Sequence, residues 1–282
     1  MNSTISLHDK DTPRKFRESI DCHGFVVVED AYTKEELAAL RDGVLALEAK
    51  ASPHHKSFVY QGGHLWAVWN LYELSPTLMR LAFVPDPFGL MAECAGTSLE
   101  FCRATLMKKT PGAQQSVGWH QDIGVAVDRD VADVESRGIR DGVPHRSGST
   151  GLLNQMIIAR INVEPQYEDG GCLQVIPGSH KWGRLRVEEL KRRVGDEKPL
   201  LCPVHAGSIL FYQPLLAHAS GPNTRMDTSN QRRVLHNEFR TISAKPDGGV
   251  DWFPWMTSAR VEKDGVFFRA QRGRPSQTTV TS

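Results

Sequence analysis

The five cysteines of this 282-residue chain are scattered, odd in number and without any Cys-x-x-Cys pair. This spacing fits neither a disulfide framework nor a structural zinc site. The formal net charge is only +1, so no strong field favours nucleic acid or a membrane surface. No apolar run approaches the roughly 18 residues of a spanning helix, and the polar residues 1–10 contain no secretory signal. We therefore predict a cytoplasmic protein that partners neither nucleic acid nor membrane, and the oligomeric state stays open.

What the chain does contain is the composition of a globular domain, with 40% hydrophobic and 24% charged residues. Its length fits one large domain. The N-terminal part, about residues 12–96, is predicted to be helical with one early strand, and a capping box at Thr33-Lys34-Glu35-Glu36 opens its clearest helix. From residue 99 the pattern changes to apolar strands separated by glycine and proline, predicted at 99–109, 117–127, 152–163, 172–176, 208–213 and 231–240.

Helices followed by strands, without alternation, favour a mainly β fold with flanking helices, such as a β-sandwich or jelly roll. The predicted jelly-roll core spans about residues 99–240, and 241–282 form a C-terminal extension of the same domain. Residues 128–151 are charged and lack a clear period, and their position after the metal motif described next predicts a lid. His145 lies in this polar stretch and is predicted to be solvated.

The segment Trp119-His120-Gln121-Asp122 carries the most specific chemistry when it is read with His218. Residues i and i+2 of an extended segment point to the same side, so His120 and Asp122 can face one metal. Two histidines and one carboxylate match the ligand set of non-haem Fe(II) oxygenases, which keeps coordination positions open. A second triplet, His236-Asn237-Glu238, has no histidine after it, and we interpret it as strand residues next to the site. We predict His120, Asp122 and His218 as metal ligands and as the catalytic centre.

Three blocks of sequence resemble, in this order, the phytanoyl-CoA dioxygenase superfamily. They are Trp119-His120-Gln121-Asp122, then Glu168-Asp169-Gly170-Gly171-Cys172-Leu173-Gln174-Val175-Ile176-Pro177-Gly178-Ser179-His180, and finally His218-Ala219-Ser220-Gly221-Pro222-Asn223 with Arg232-Arg233-Val234-Leu235. The likeness extends loosely over residues 15–245. It implies a double-stranded β-helix, a jelly roll that holds Fe(II) at its mouth, with 2-oxoglutarate and O2 as co-substrates. It also implies that Arg232 binds the distal carboxylate of 2-oxoglutarate with help from Ser220. Arg233 is the weaker candidate.

Two predicted strands provide further candidates on their inward faces. On strand 99–109, alternation predicts an inward face of Ala104, Leu106 and Lys108. On strand 152–163, it predicts an inward face of Gln155, Ile157 and Ala159. Lys108 and Gln155 are therefore candidates for binding the C1 carboxylate of 2-oxoglutarate, the one next to its keto group, or the substrate. A rim lysine and a hydrogen-bonded strand glutamine are the alternative. The family often carries tryptophan where we count Ala159, which would open that wall of the pocket.

The activity implied by the resemblance is a 2-oxoglutarate-dependent dioxygenase that hydroxylates an unactivated carbon and releases succinate and CO2. We expect a small organic substrate, such as an amino acid or a secondary-metabolism intermediate. The aromatic segment 66–72 either lines its pocket or belongs to the core. Desaturation, cyclisation or epimerisation by the same cofactors are alternatives, as is an acyl-CoA substrate, for which Lys191-Arg192-Arg193 would face the phosphates. A jelly-roll metal-dependent isomerase or a binding module would keep the metal site without consuming 2-oxoglutarate.

Overall fold

The computed structural model describes residues 3–227 and 231–270. Within these two ranges no helix is long and apolar enough to cross a membrane. The predicted C-terminal extension is therefore described as far as residue 270, and its remainder lies outside the described residues.

Helices are concentrated in the first hundred residues. In chain order they are α1 (Thr12–His23), α2 (Lys34–Glu48), α3 (Leu71–Leu74), α4 (Pro76–Ala82), α5 (Pro85–Ala95), α6 (Thr150–Leu153) and α7 (Val187–Gly195), with a 3₁₀ helix at Ser179–Trp182. The predicted capping box opens α2, since Thr33 Oγ1 accepts a hydrogen bond from the Glu36 amide and the Glu36 carboxylate accepts one from the Thr33 amide. Pro85 begins α5 because proline fits only the first turn of a helix.

Strands occur along the whole described chain. In chain order they are β1 (Thr4–Ser6), β2 (Phe25–Glu29), β3 (Phe58–Gln61), β4 (His64–Trp69), β5 (Leu99–Lys109), β6 (Val117–His120), β7 (Gly124–Ala126), β8 (Ser136–Arg140), β9 (Val143–Ser147), β10 (Met156–Asn162), β11 (Leu173–Val175), β12 (Leu200–Cys202), β13 (Ile209–Tyr212), β14 (His218–Ser220), β15 (Arg232–Thr241), β16 (Thr257–Glu262) and β17 (Gly265–Ala270).

Two sheets with antiparallel core strands form the jelly roll. The larger sheet contains the order β13-β10-β15-β5, and the smaller one has the order β12-β11-β14-β6. Along the chain, strands alternate between the sheets: β5 and β10 are in the larger one, while β6 and the β11-β12 pair are in the smaller one. The same alternation continues from β13 to β14 and back to β15. This winding is the predicted double-stranded β-helix, and the predicted fold class is confirmed.

Strands from outside residues 99–240 extend the larger sheet on both sides. At one edge β2 pairs with β13, and at the other both β4 and β16 pair with β5. The N-terminal part is therefore less purely helical than predicted, because it contributes β1 to β4 to this sheet. One face of the sheet packs against the helices, and the other face lines the polar interior.

The inward faces predicted for β5 and β10 are wrong. Ala104, Leu106, Ile157 and Ala159 pack toward the helices, whereas Arg103, Thr105, Met107, Lys109 and Arg160 line the interior. Both faces of these strands are buried, so apolar residues mark the helix-packed side and polar residues the cavity side. Separately, the β5–β15 register jumps at Cys102, which has no partner between Phe101 and Arg103, so Phe101 before this bulge and Ala104 after it pack on the same side.

An aromatic cluster fills the layer between the larger sheet and the helices. Phe239 on β15 lies 5.2 Å from Phe83, 5.6 Å from Phe88 and 6.1 Å from Phe101, measured between ring centroids. All four rings are buried. The cluster supports β15 from behind, on the face opposite to the cavity.

We expect Phe239→Ala to lower the free energy of unfolding by about 3–5 kcal/mol, because it leaves a cavity among rigid aromatic neighbours. Chemical denaturation followed by circular dichroism measures this change. Phe267→Ala is the matched control, since that ring is 52% exposed, and it should change stability by less than about 0.5 kcal/mol. Equal effects of the two substitutions would contradict the packing role of Phe239.

Candidate active site

The three predicted ligands meet where the smaller sheet faces the larger one. His120 ends β6, and His218, the first residue of β14, lies directly opposite it in the antiparallel register. Asp122 Oδ1 lies 3.5 Å from His120 Nε2, and Asp122 Oδ2 lies 3.4 Å from His218 Nε2. The candidate ligand atoms of the three residues all fall within 4.8 Å of one another, a spacing suited to a single metal ion.

The histidine rings are oriented for ligation by backbone carbonyl groups. His120 Nδ1 lies 2.8 Å from the Gly118 oxygen, and His218 Nδ1 lies 2.9 Å from the Leu216 oxygen. A carbonyl only accepts, so each Nδ1 carries the proton and each Nε2 keeps a free lone pair. Burial lowers the pKa of His218 to about 3, which keeps its ring in the neutral form that binds metals.

Asp122 is held in the break between β6 and β7. Its amide donates to the Pro214 oxygen over 2.8 Å, which interrupts the continuous strand predicted at 117–127. The Tyr212 hydroxyl donates to Asp122 Oδ2 over 2.7 Å. Burial disfavours the charged carboxylate, but the neighbouring His218 and His120 outweigh it and hold the pKa of Asp122 well below its usual range. The Asp122 carboxylate is therefore ionised, and the uncharged Tyr212 hydroxyl orients it.

The second triplet lies beside this centre on β15. His236 Nε2 is 4.0 Å from Asp122 Oδ2 and 3.4 Å from Glu238 Oε1. Arg103 Nε donates to Glu238 over 3.1 Å, so the buried Glu238 already has a cationic partner. His236 and Glu238 therefore lie beside the metal centre, and Arg103 binds the Glu238 carboxylate.

The centre opens into a cavity of about 210 Å³. Trp66 and Trp69 of β4 line it, whereas Leu71 and Tyr72 of α3 are buried in the core. Part of the aromatic segment 66–72 therefore lines the pocket, and part of it belongs to the core. Asp122 is the only acidic residue among the described residues that line the cavity, although several cations do so.

A cationic end of the cavity lies between β5, β14 and β15. Arg232 is 4% exposed, and its Nη1 donates to the Gly171 oxygen over 2.8 Å while its buried Nε has no partner. Lys109, opposite Arg232 in the β5–β15 register, donates through Nζ to Ser220 Oγ over 2.8 Å. Burial, with Arg160 nearby, lowers the pKa of Arg232 to about 9, and burial with Arg232 and Arg160 lowers that of Lys109 to about 6. Neither cation has a carboxylate partner in the part of the chain that the structure describes, and both are suited to an anionic ligand.

The second residue of the Gly170-Gly171 pair, just before β11, has to be glycine. Its φ is +69°, and a Cβ atom there would lie 2.3 Å from the Gly221 oxygen. Only glycine allows the chain to approach the segment after β14 this closely and to present its carbonyl oxygen to Arg232.

Arg233 and Lys108 are opposite each other in the β5–β15 register, and both form ion pairs with Glu48. Arg233 Nε lies 2.7 Å from Glu48 Oε1 and its Nη1 lies 2.9 Å from Glu164 Oε1. Lys108 lines the cavity rim, but its Nζ forms an ion pair with Glu48 over 2.8 Å. The Lys108 prediction is therefore corrected, because Lys109 is the lysine whose amine reaches Ser220. Arg232, and not Arg233, faces the cavity.

The prediction for Gln155 is also wrong. Residues 150–153 form α6, so β10 begins at Met156 and Gln155 precedes it. Gln155 Nε2 donates to the Gly151 oxygen over 3.1 Å, and the side chain borders a separate cavity next to Thr241. The expected opening at Ala159 is absent as well, since Ala159 faces the helices and Arg160 forms the cavity wall.

The predicted lid, residues 128–151, contains an antiparallel sheet of β7, β9 and β8. At the β8–β9 turn, Asn70 Nδ2 donates to Asp141 Oδ2 over 2.8 Å and Ser57 donates to the same oxygen. Arg140, just before this turn, lines the cavity and has no hydrogen-bond or ion-pair partner among the described residues. The segment is thus fixed to the wall of the pocket.

His145 on β9 is 3% exposed, so the prediction that it is solvated is wrong. The hairpin folds over the cavity and buries this residue despite its polar sequence surroundings. His145 Nδ1 lies 2.9 Å from the Val143 oxygen, and its Nε2 is buried without a partner. Burial, with Arg103 nearby, lowers its pKa to about 4. The neutral ring therefore presents an unused acceptor where it lines the cavity.

Comparison with known proteins identifies similar molecules. The model for the family described as "Phytanoyl-CoA dioxygenase (PhyH)" matches residues 20–234. An ectoine dioxygenase of Sphingopyxis alaskensis is 22% identical over 297 aligned positions, which cover 96% of this chain and 87% of the relative. The crystal structure of EctD from S. alaskensis with 2-oxoglutarate and 5-hydroxyectoine has a TM-score of 0.64 at 19% identity, covering 88% of this chain and 83% of that chain. The epimerase SnoN in complex with Fe³⁺, alpha ketoglutarate and nogalamycin RO has a TM-score of 0.59 at 17% identity, covering 90% and 88%.

The solved structures share the jelly-roll fold with this chain, and the family match spans the metal motif and the cavity arginine. The chain therefore belongs to the phytanoyl-CoA dioxygenase family, the iron- and 2-oxoglutarate-dependent dioxygenases that its sequence motifs resemble.

Proposed function

We propose that the whole chain is one oxygenase domain that hydroxylates a small organic acid in the cytoplasm. In this proposal His120, Asp122 and His218 hold Fe(II). The observation that carries it is the convergence of two free Nε2 lone pairs and an ionised carboxylate within 4.8 Å. Bound iron and 2-oxoglutarate supply the oxidising chemistry, with O2 consumed and succinate and CO2 released. The protein's part is to orient both acids and to exclude water.

The far carboxylate of 2-oxoglutarate fits the cationic end of the cavity. Arg232 offers a buried Nε without a partner, and Ser220 offers a hydroxyl that Lys109 already orients. A guanidinium and a carboxylate form charge-assisted hydrogen bonds that are stronger than neutral ones. Once 2-oxoglutarate is bound, its charge would favour the protonated form of Lys109, whose pKa is about 6 without such an anion.

The other end of the cavity supports a small acidic substrate that also carries a hydrogen-bond donor. Arg140 lacks an anionic partner among the described residues, and Trp66 Nε1 is a buried donor without an acceptor. His145 Nε2 supplies the acceptor that a hydroxyl or amino group would use. An acyl-CoA is less well supported, because Arg192 and Arg193 of α7 both form ion pairs with Glu189 and do not line the cavity.

Anaerobic titration of the purified protein with Fe(II) and then 2-oxoglutarate tests this proposal. We expect the weak visible charge-transfer band of an iron-bound 2-oxo acid in the unaltered protein and no band in His218→Ala. Matched pairs of small amino or hydroxy acids and their carboxamides are then added to the complex, and succinate release in air is measured. Acids should stimulate succinate release more than their amides. Tight iron binding without any band would favour a metal-dependent isomerase or a binding module.

A further inference from the structure

Arg160 is a buried cation that the assignments above do not use. It lies in the middle of β10, is 7% exposed, and lines the cavity. Its guanidinium has no hydrogen-bond or ion-pair partner among residues 3–227 and 231–270. Two other arginines with little exposure near the cavity do have carboxylate partners, since Arg103 pairs with Glu238 and Arg233 with Glu164. A buried charge without a partner is costly, so an anion is expected to bind Arg160 during function.

The strand register places Arg160 nearer to the metal centre than Arg232. Arg160 pairs with His236 of β15, and His236 Nε2 lies 4.0 Å from Asp122 Oδ2. Arg232 is four residues away along the same strand, about 13 Å at the usual rise of a strand. Arg160 lines the same cavity as His218, at one end of this distance, and Arg232, at the other. Arg160 therefore belongs to the stretch of cavity wall that includes both the metal centre and the cationic end.

An elongated dicarboxylate bound along this line has one carboxylate at Arg232 and the other at the metal. Arg232, Lys109 and Ser220 provide enough donors for the distal carboxylate. At the metal end, the other residues beside the triad are His236, which faces Glu238, and Tyr212, which donates to Asp122. Arg160 is the remaining cation near the triad without a partner among the described residues. Arg140 and His145 belong to the lid hairpin.

We propose that Arg160 binds the carboxylate next to the keto group of 2-oxoglutarate, so that an arginine holds each end of the co-substrate. This inference rests on the proposed function of the site. The two arginines then have separable roles: Arg232 recognises the distal carboxylate, and Arg160 recognises the part that every 2-oxo acid shares. A 2-oxo acid without a distal carboxylate should keep the Arg160 contact and lose the Arg232 contact.

The test compares dissociation constants of two ligands by anaerobic calorimetry on the Fe(II)-loaded protein. The ligands are 2-oxoglutarate and 2-oxobutanoate, which lacks the distal carboxylate. We expect Arg160→Gln to weaken both ligands by about 10- to 100-fold, the effect of a hydrogen bond to a charged group. Arg232→Gln should weaken 2-oxoglutarate by a similar factor and leave 2-oxobutanoate unchanged. Arg160→Lys should fall between the unaltered protein and Arg160→Gln, because a lysine keeps the charge and loses the planar pair of donors.

Controls separate this inference from the proposed function. Lys108→Gln removes a rim cation already paired with Glu48 and should leave both dissociation constants unchanged. Fe(II) affinity and melting temperature of each variant establish that the metal site is intact. Equal affinity of Arg160→Gln and the unaltered protein for both ligands would overturn the inference and assign Arg160 to the substrate. Weakening of 2-oxoglutarate alone would overturn it too, since Arg160 would then serve the distal carboxylate. Failure of the unaltered protein to bind either ligand would instead contradict the proposed function.

Discussion

Asp122→Ala is expected to abolish 2-oxoglutarate turnover and to weaken Fe(II) binding by more than about 100-fold. Loss of a group that only orients a metal ligand already costs about 10- to 100-fold in affinity or activity, and this substitution removes the proposed ligand itself. It also removes the only acidic group among the described residues that line the cavity, so two neutral histidines would face the metal amid unpaired cations. Competition with a coloured Fe(II) chelator measures the affinity, and succinate formation measures the turnover.

Tyr212→Phe is the matched control for this substitution. It removes the hydroxyl that donates to Asp122 Oδ2 and leaves the carboxylate and the packed ring in place. Its effect on Fe(II) affinity should be smaller than that of Asp122→Ala, within the range of about 10- to 100-fold expected for an orienting group. If Asp122→Ala bound Fe(II) as tightly as the unaltered protein, Asp122 would not be a ligand. The neighbouring His236 and Glu238 would then have to be tested in its place.

The sequence predicted the parts of the site that depend on short-range spacing. His120 and Asp122 are two residues apart, and their side chains meet at one site although the strand ends at His120. The α2 capping box is local in the same sense, because all its hydrogen bonds lie within four residues. The first triplet could be preferred to the second because His218 follows it, whereas no histidine follows the second. In the structure His218 lies opposite His120, as a ligand to the same metal would require.

The choice of strand face could not be predicted, because alternation of apolar and polar residues identifies a buried face only when the other face meets water. Helices cover one face of β5 and β10, and the cavity lies on the other. Apolar residues therefore indicated the wrong side, and Lys108 was chosen where Lys109 reaches Ser220. The bulge at Cys102 also shifts the alternation by one residue, so a face assigned from Leu99 and Phe101 could not have been extended to residues 103–109 by counting.

His145 and Arg160 escaped prediction for a different reason. Each is a polar residue whose burial depends on how its strand packs in the fold: His145 lies on β9, which pairs with β7, and Arg160 shares the cavity with residues of the smaller sheet. No local pattern distinguishes such residues from solvated ones. The only available signal for Arg160 was its position on a predicted strand next to otherwise apolar residues, where an unpaired arginine is unusual.

Arg232→Ala is expected to raise the KM for 2-oxoglutarate by about 30- to 4000-fold, the range that follows from truncating one partner of a buried charge pair. The Fe(II) affinity should change little, because Arg232 contacts the Gly171 oxygen and none of the three proposed ligands. Steady-state succinate formation at varied 2-oxoglutarate gives the KM, and the chelator competition gives the iron affinity.

The adjacent arginine provides a control that separates recognition from charge and folding. Arg232→Lys and Arg233→Lys are the same change one residue apart, with the same net charge, on opposite faces of β15. Arg232→Lys should raise the KM for 2-oxoglutarate, because lysine cannot both contact the Gly171 oxygen and present a planar pair of donors to a carboxylate. Arg233→Lys keeps a cation near Glu48 and Glu164 and should leave the KM unchanged. An equal rise in the KM of both variants would mean that 2-oxoglutarate binding depends on the stability of the β15 edge. Arg232 would then lose its assignment as the residue that recognises the distal carboxylate.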